Sequence, residues 1–230
     1  MQKNEWEKLN TVEGENQVSE YVKFDGKIGG TPRIMFLGNS ITWHGPKADI
    51  GWYGDWGMAA SSKEKDYVHI IMREISKHYP NAFFCIVQGA IWERSYKNCN
   101  YEENFSKAKN FSPDIIISKV VDNIPNEEFE HEPFIESMIE LHKYLSGIMK
   151  DVKIIRTSSF GSNEVKDKAI KEYSEKMGAK YIYIGDINKN PKNLAIGLFE
   201  HGGVAGHPGD KGMQVIADRI LNCIKENNML

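Results

Sequence analysis

Cysteine is scarce in this chain of 230 residues, which has only Cys85, Cys99 and Cys223. They form neither a Cys-x-x-Cys pair nor a metal-site spacing, so we interpret them as free thiols in a reducing compartment. Long apolar runs are lacking too: no segment approaches the roughly 20 residues of a membrane span. The first ten residues have no apolar core like that of a secretory signal. The sequence therefore predicts a cytoplasmic protein with no membrane partner, although a signal removed earlier would leave no trace in it.

An excess of positive charge is also lacking. Lysine and arginine number 29 against 32 acidic residues, a net charge of -3, whereas a nucleic-acid-binding domain normally shows a basic excess. Apolar residues at 40% and charged residues at 27% are ordinary for a soluble globular protein. Repeats, low-complexity tracts and a clear linker are missing. We predict an arm or short strand pair over residues 1–30, one domain over residues 31–230 and no nucleic-acid partner.

Apolar runs rich in β-formers alternate with segments of helical periodicity. The five runs are RIMFLG, AFFCIVQG, DIIISKVV, VKIIRTSSF and KYIYIGDI. Helices are predicted over 65–79, 133–149, 163–179 and 209–226 from apolar residues at i, i+3, i+4 and i+7. Alternation of this kind predicts an α/β fold with a five-stranded, flavodoxin-like parallel sheet and helices on both faces.

Polar side chains follow the predicted strands, where an open parallel sheet binds its ligands. Ser40 follows the first strand in Gly38-Asn39-Ser40, and Asn123 follows the third. His207 stands in a glycine-rich loop before the last helix. A serine nucleophile needs an exposed position, a base such as histidine, and donors aimed at the oxyanion. Each stretch also has a structural interpretation: a helix cap at Ser40, an Asx turn at Asn123, and a turn with a capped helix at His207.

Two of these stretches, FLGNSIT and VAGHPGDKGM, resemble the first and last sequence blocks of the SGNH hydrolases, the GDSL-like esterase superfamily. The resemblance runs over residues 33–225 and implies a three-layer α/β/α sandwich with no metal or cofactor. It implies Ser40 as the nucleophile and His207 as the base. The oxyanion hole would comprise the Ser40 N–H, the Gly57 N–H (Gly54 as the fallback) and the Asn123 side chain.

The sequence departs from this family at the triad acid. The acid stands three residues before the histidine in the family, and here Val204 occupies that position. Three interpretations remain open: the Val204 carbonyl orients His207 in a Ser-His dyad, Glu200 serves as the acid, or the protein is weakly active or inactive. We favour the dyad, because a carbonyl can orient a neutral imidazole although it stabilises the imidazolium less than a carboxylate does.

Aromatic residues crowd the predicted site. Candidate substrate-binding residues are Trp43, His44, Trp52, Trp56, Trp92 and His201. Tryptophan faces suit the apolar faces of sugars, although each ring could instead pack its loop onto the domain. We predict a serine esterase that removes a short acyl group, acetyl in particular, from a carbohydrate-like small-molecule substrate. The alternative is a weak or inactive carbohydrate-binding protein on the same fold, and a flavodoxin-like phosphate-binding domain ranks third. The sequence leaves the oligomeric state open.

Overall fold

A six-stranded sheet forms the centre of the molecule. The structure, a computed structural model, describes residues 21–147 and 151–230, so most of the predicted N-terminal arm lies outside the described residues. The strand order is β1-β3-β2-β4-β5-β6. The strands are β1 (Val22–Gly26), β2 (Arg33–Gly38), β3 (Phe83–Gln88), β4 (Ile115–Lys119), β5 (Lys153–Thr157) and β6 (Lys180–Ile182).

The five predicted strands are confirmed as β2 to β6, and they pair in parallel. The sixth strand, β1, was not predicted as a separate strand of this sheet. It runs antiparallel to β3 at the edge, with Val22 opposite Val87. Val22 is its one buried residue, and Phe24 remains 47% exposed, so β1 has little of the apolar character that identifies the inner strands. The boundary between an arm and a domain near residue 30 stays a prediction.

Helices cover both faces of this sheet. They are α1 (Tyr67–His78), α2 (Ala90–Ser95), α3 (Tyr101–Lys109), α4 (His131–Ser146), α5 (Glu164–Met177), α6 (Gly202–Ala205) and α7 (Asp210–Glu226). The four predicted helices are confirmed as α1, α4, α5 and α7. The three others were not predicted, because they are short and carry few apolar positions. No described helix is both long and apolar enough to cross a membrane.

Strand β2 shows how the sheet divides the core. Ile34 and Phe36 face the cluster that contains residues of α1 and α7, whereas Met35 and Leu37 face the cluster that contains residues of α2 to α5. This alternation follows from the two-residue period of a strand. The strand ends at Gly38, where a Cβ would lie 1.7 Å from the Thr42 hydroxyl. Glycine is therefore required for the chain to fold back tightly after β2, and that fold carries Ser40.

Candidate active site

Ser40 stands at the carboxyl end of β2, an inner strand of the sheet. Asn39 builds the turn around it: its carbonyl accepts the N–H groups of Thr42 and Trp43 at 2.9 and 3.0 Å. The Ser40 side chain is half-buried. Its own backbone N–H has no acceptor among the described residues. A rigid strand end thus presents both a hydroxyl and an unoccupied N–H at the edge of the sheet.

His207 lies against this serine, although 167 residues separate the two in the chain. Its Nε2 is 2.7 Å from Ser40 Oγ, and its Nδ1 is 2.7 Å from the Gly203 carbonyl oxygen. A carbonyl only accepts hydrogen bonds, so Nδ1 carries the proton of the neutral ring and Nε2 offers its lone pair to the serine. The geometry suits proton transfer from Ser40 to His207.

The carbonyl that orients His207 belongs to Gly203, which corrects the sequence-based assignment to Val204. The Val204 carbonyl instead accepts the backbone N–H of His207 at 3.0 Å. The Val204 side chain is fully buried in a small apolar cluster with Trp52 and Met58. Both carbonyls belong to the one-turn helix α6, and residue spacing does not reveal which of them meets the ring and which meets the backbone N–H of His207.

No carboxylate takes the place of the missing acid among the described residues. Glu200 is exposed and makes no hydrogen bond to His207, which corrects its assignment as a possible acid. The pKa of His207 is lowered to about 4, mainly by burial and to a smaller extent by the charges of Lys119 and His44, while the Gly203 carbonyl and the charge of Asp122 oppose the shift. The imidazole is therefore held in its neutral form, the form that a general base requires.

Gly57 does not contribute to an oxyanion hole, contrary to the sequence-based prediction. Its N–H donates to Asp66 Oδ2 at 2.8 Å, and Asp66 is buried. A Cβ at Gly57 would lie 2.6 Å from the Ile41 carbonyl oxygen, so glycine is needed there for close packing. The fallback, Gly54, is packed against the rings of Trp52 and Trp56 and has a structural role as well.

Asn123 lines the same space as Ser40 and His207. Its Nδ2 donates to Glu93 Oε2 at 2.5 Å. An amide nitrogen carries two hydrogens, so this bond leaves one available for a substrate oxygen. Glu93, which holds the other Asn123 hydrogen, was not among the candidate site residues of the sequence analysis. In the structure it is 1% exposed, and nothing in the sequence separates it from its exposed neighbour Arg94.

Glu93 belongs to a buried polar network beneath the site. Its Oε1 accepts the Asn39 amide at 3.0 Å and also the Val121 N–H. Burial raises the pKa of Glu93, and the charge of Asp122 adds to the shift. Burial would also raise the pKa of Asp122, but Lys119, whose Nζ is 2.5 Å away, outweighs it and brings that pKa to about 2. The network fixes Asn39 below the serine and Asn123 beside it.

The fold of the chain is similar to the folds of solved esterase structures. No family model matches the sequence, and no curated protein matches it either. The structure is similar to that of a protein from Bacteroides uniformis named as a GDSL-like lipase, with a TM-score of 0.56 and 17% sequence identity. That match covers 86% of this chain and 98% of the other. The chain has the SGNH hydrolase fold.

Two further structures of similar fold are those of carbohydrate esterases. A family two carbohydrate esterase from Clostridium thermocellum, in complex with cellohexaose, matches with a TM-score of 0.56 and 13% identity, over 87% of this chain and 66% of that one. A two-domain esterase active on acetylated mannans matches with a TM-score of 0.54 and 17% identity, over 84% of this chain and 48% of that one. This chain thus spans about half the length of the two-domain enzyme.

Three of the predicted substrate-binding tryptophans do not line the space beside Ser40. Trp92 is fully buried and donates its Nε1–H to Ser137 Oγ at 2.9 Å. Trp52 is buried and donates to the His44 carbonyl, and Trp56 donates to the Ala60 carbonyl. Neither ring lines a cavity beside Ser40. All three pack loops or helices onto the domain, the alternative noted from the sequence.

Two cavities meet at Ser40, His207 and Asn123. One, of about 560 Å³, extends between Asn126 and Asn163 toward the start of α5. The other, of about 580 Å³, is lined by the remaining predicted substrate-binding residues, Trp43, His44 and His201. A substrate group can therefore extend from the serine in two directions.

One group of possible metal ligands occurs among the described residues, away from Ser40 and His207. His131, Glu132 and Glu172 place one ligand atom each within 4.8 Å of one another on α4 and α5. They lie at the surface, and Lys176 Nζ is 2.8 Å from Glu172. A lysine ammonium already neutralises part of this group, and the group lines neither cavity beside Ser40.

Proposed function

We propose that this chain is a serine esterase that removes a short acyl group, acetyl in particular, from a carbohydrate-like alcohol. One observation carries the proposal: Ser40 Oγ lies 2.7 Å from His207 Nε2 while the Gly203 carbonyl holds Nδ1. This is the arrangement of a hydroxyl nucleophile and an oriented base. The pair forms a dyad, in which a carbonyl replaces the carboxylate of a triad.

In the proposed mechanism, Ser40 attacks the ester carbonyl as His207 Nε2 accepts the hydroxyl proton. The carbonyl oxygen becomes an oxyanion, which the Ser40 N–H and the free Nδ2–H of Asn123 stabilise. The bond to the alcohol then breaks, and His207 returns the proton to the departing alkoxide. Water, deprotonated by His207, attacks the acyl-serine and releases the acid, which regenerates Ser40.

The proposed substrate class is supported by the lining of the cavities and by the similar proteins. The cavity near α5 has amide and hydroxyl groups on its wall, which suit the hydroxyls of a sugar. Trp43 adds an aromatic residue to the other cavity. Proteins of similar fold are named as a carbohydrate esterase bound to cellohexaose and an esterase active on acetylated mannans. Identities of 13% and 17% leave their substrates a hypothesis for this chain.

A carbohydrate-binding protein without esterase activity is the second candidate. One observation favours it: among the described residues, no carboxylate contacts His207, so the imidazolium formed during catalysis has no adjacent counter-charge. This candidate predicts binding of an oligosaccharide with no release of acid from its esters.

Hydrolysis of 4-nitrophenyl acetate and labelling by a fluorophosphonate probe test the esterase proposal. The wild-type protein should turn over the ester and react with the probe, and Ser40→Ala should do neither, with a loss of several orders of magnitude. Ser76→Ala, on α1 and away from both cavities, is the matched control. Full activity in Ser40→Ala would refute the assignment of Ser40 as the nucleophile. An inactive, unlabelled wild type that binds acetylated oligosaccharides would favour the second candidate.

A further inference from the structure

The 580 Å³ cavity beside Ser40 has a wall of one charge sign. Its charged lining residues are Lys47 and Arg94, and no aspartate or glutamate is among the described residues that line it. The chain as a whole has more acidic than basic residues, 32 against 29. A cavity wall with cations and no carboxylate is therefore not a consequence of the overall composition.

Arg94 is the cation whose charge is least compensated. It lies on α2, is exposed, and has neither a hydrogen-bond acceptor nor an ion-pair partner among residues 21–147 and 151–230. The carboxylate of the preceding residue, Glu93, points into the protein and accepts from Asn39, Asn123 and Val121. Arg94 thus keeps its donors for a group that enters the cavity.

The second cation, Lys47, adds to the same field. Its one described ion pair is with Asp49 at 3.8 Å, and both side chains are more than half exposed, so this pair neutralises the lysine weakly. His44 lies close to both cations. Burial lowers its pKa, and the charges of Lys47 and Arg94 lower it further. The positive potential therefore extends over the cavity wall from the loop after β2 to helix α2.

We propose that the ester substrate carries an anionic group, a carboxylate or a phosphate, that binds in this cavity to Arg94 and Lys47. Arginine binds both anions through two parallel N–H donors, and a lysine ammonium supplies a point charge beside it. This proposal rests on the proposed esterase function and names its substrate class. An acetylated acidic sugar would present its ester to Ser40 while its anionic group occupies the cationic cavity.

Matched acetylated substrates test this proposal. The first pair is an acetylated oligogalacturonate and the same oligosaccharide with its carboxylates converted to methyl esters. An acetylated sugar phosphate and the acetylated neutral sugar form the second pair, so the two pairs distinguish a carboxylate from a phosphate. Acetate release is measured as kcat/KM. At least one anionic substrate should exceed its neutral partner by about tenfold or more, the factor expected for one hydrogen-bonded ion pair.

The Arg94→Ala variant should lose about tenfold to hundredfold more kcat/KM on the preferred anionic substrate than on its neutral partner. Arg94→Lys should recover part of that loss, because it restores the charge without the paired donors. Arg73→Ala is the matched control, since Arg73 lies on α1 and lines neither cavity beside Ser40. Added salt should lower kcat/KM for the anionic substrate more than for the neutral one.

Two results would overturn the inference while leaving the esterase proposal intact. In the first, the wild type hydrolyses 4-nitrophenyl acetate, but its kcat/KM is the same for the anionic and the neutral member of each substrate pair. In the second, Arg94→Ala lowers kcat/KM by the same factor for the anionic and the neutral substrates. Failure of the wild type to hydrolyse any ester, 4-nitrophenyl acetate included, would instead refute the proposed function and with it the inference.

Discussion

The orientation of His207 by a carbonyl leads to a quantitative prediction about pH. A base beside a carboxylate gains stabilisation of its protonated form, whereas His207 has the Gly203 carbonyl and a half-buried position, and burial lowers its pKa to about 4. His207 must be neutral to accept the Ser40 proton. The acid limb of kcat/KM, which reports the free enzyme, should therefore lie near pH 4 rather than near the ordinary histidine value of about 6.5.

The difference is largest in mildly acidic solution. At pH 5.5, a base with a pKa of about 4 is about 97% neutral, whereas one with a pKa of about 6.5 is about 9% neutral, roughly a tenfold difference in kcat/KM. The assay measures acetate release from a neutral acetyl ester between pH 4 and 8. An acid limb centred near 6.5 would show that His207 has a charged partner or is more solvated, and the reasoning would be refuted.

Acid unfolding must be separated from loss of the base in this measurement. His142 is fully buried, and burial lowers its pKa to about 3. A histidine with a lower pKa in the folded protein than in the unfolded chain destabilises the fold as pH falls below about 6.5, because the unfolded chain binds the proton more readily. Circular dichroism at each pH gives the range in which the protein stays folded, and only rates within that range enter the profile.

Further variants test the remaining roles. Asn123→Ala should lower kcat by roughly 10²–10³ with a smaller change in KM; an effect on KM alone would make Asn123 a substrate-binding residue. Glu93→Gln should lower kcat about tenfold, because it would loosen the Asn123 side chain that Glu93 holds. If kcat of the double variant Glu93→Gln/Asn123→Ala fell by the full product of the two single losses, the two residues would act independently and this coupling would be contradicted. Glu200→Gln should keep most activity, whereas His207→Ala should lose nearly all; a loss near the roughly 10⁴ that follows replacement of a protease's triad acid would restore Glu200 as the acid. Val204→Asp should lower the free energy of unfolding by about 3 kcal/mol or more, well beyond Val204→Ala, because it buries a carboxylate. An unchanged melting temperature with a raised kcat would show that side chain 204 reaches His207.

Local pattern was sufficient for the five parallel strands and the four long helices. Strands buried on both faces are almost continuously apolar, as in the Ile115–Lys119 segment, and amphipathic helices repeat with a 3.6-residue period. The carboxyl ends of parallel strands share one edge, so placing Ser40 and Asn123 at that edge needed no coordinates. The edge strand Val22–Gly26 was missed because only one of its residues is buried.

Tertiary structure alone decided which hydrogen-bond donors are free at the site and which side chains are buried beneath it. The Gly57 N–H is occupied because Asp66 is buried beside it, and Glu93 is inside because Asn39, Asn123 and Val121 surround it. These partners come from separate segments of the chain, so no local sequence pattern contains them. The partner of His207 Nδ1 depends likewise on the backbone of α6, which places the Gly203 carbonyl against the ring and the Val204 carbonyl against the His207 N–H. The sequence by itself determined which chemical groups reach the edge of the sheet, and the packing determined which of them remain unpaired there, because a hydrogen bond requires a distance and a direction that only the folded chain defines.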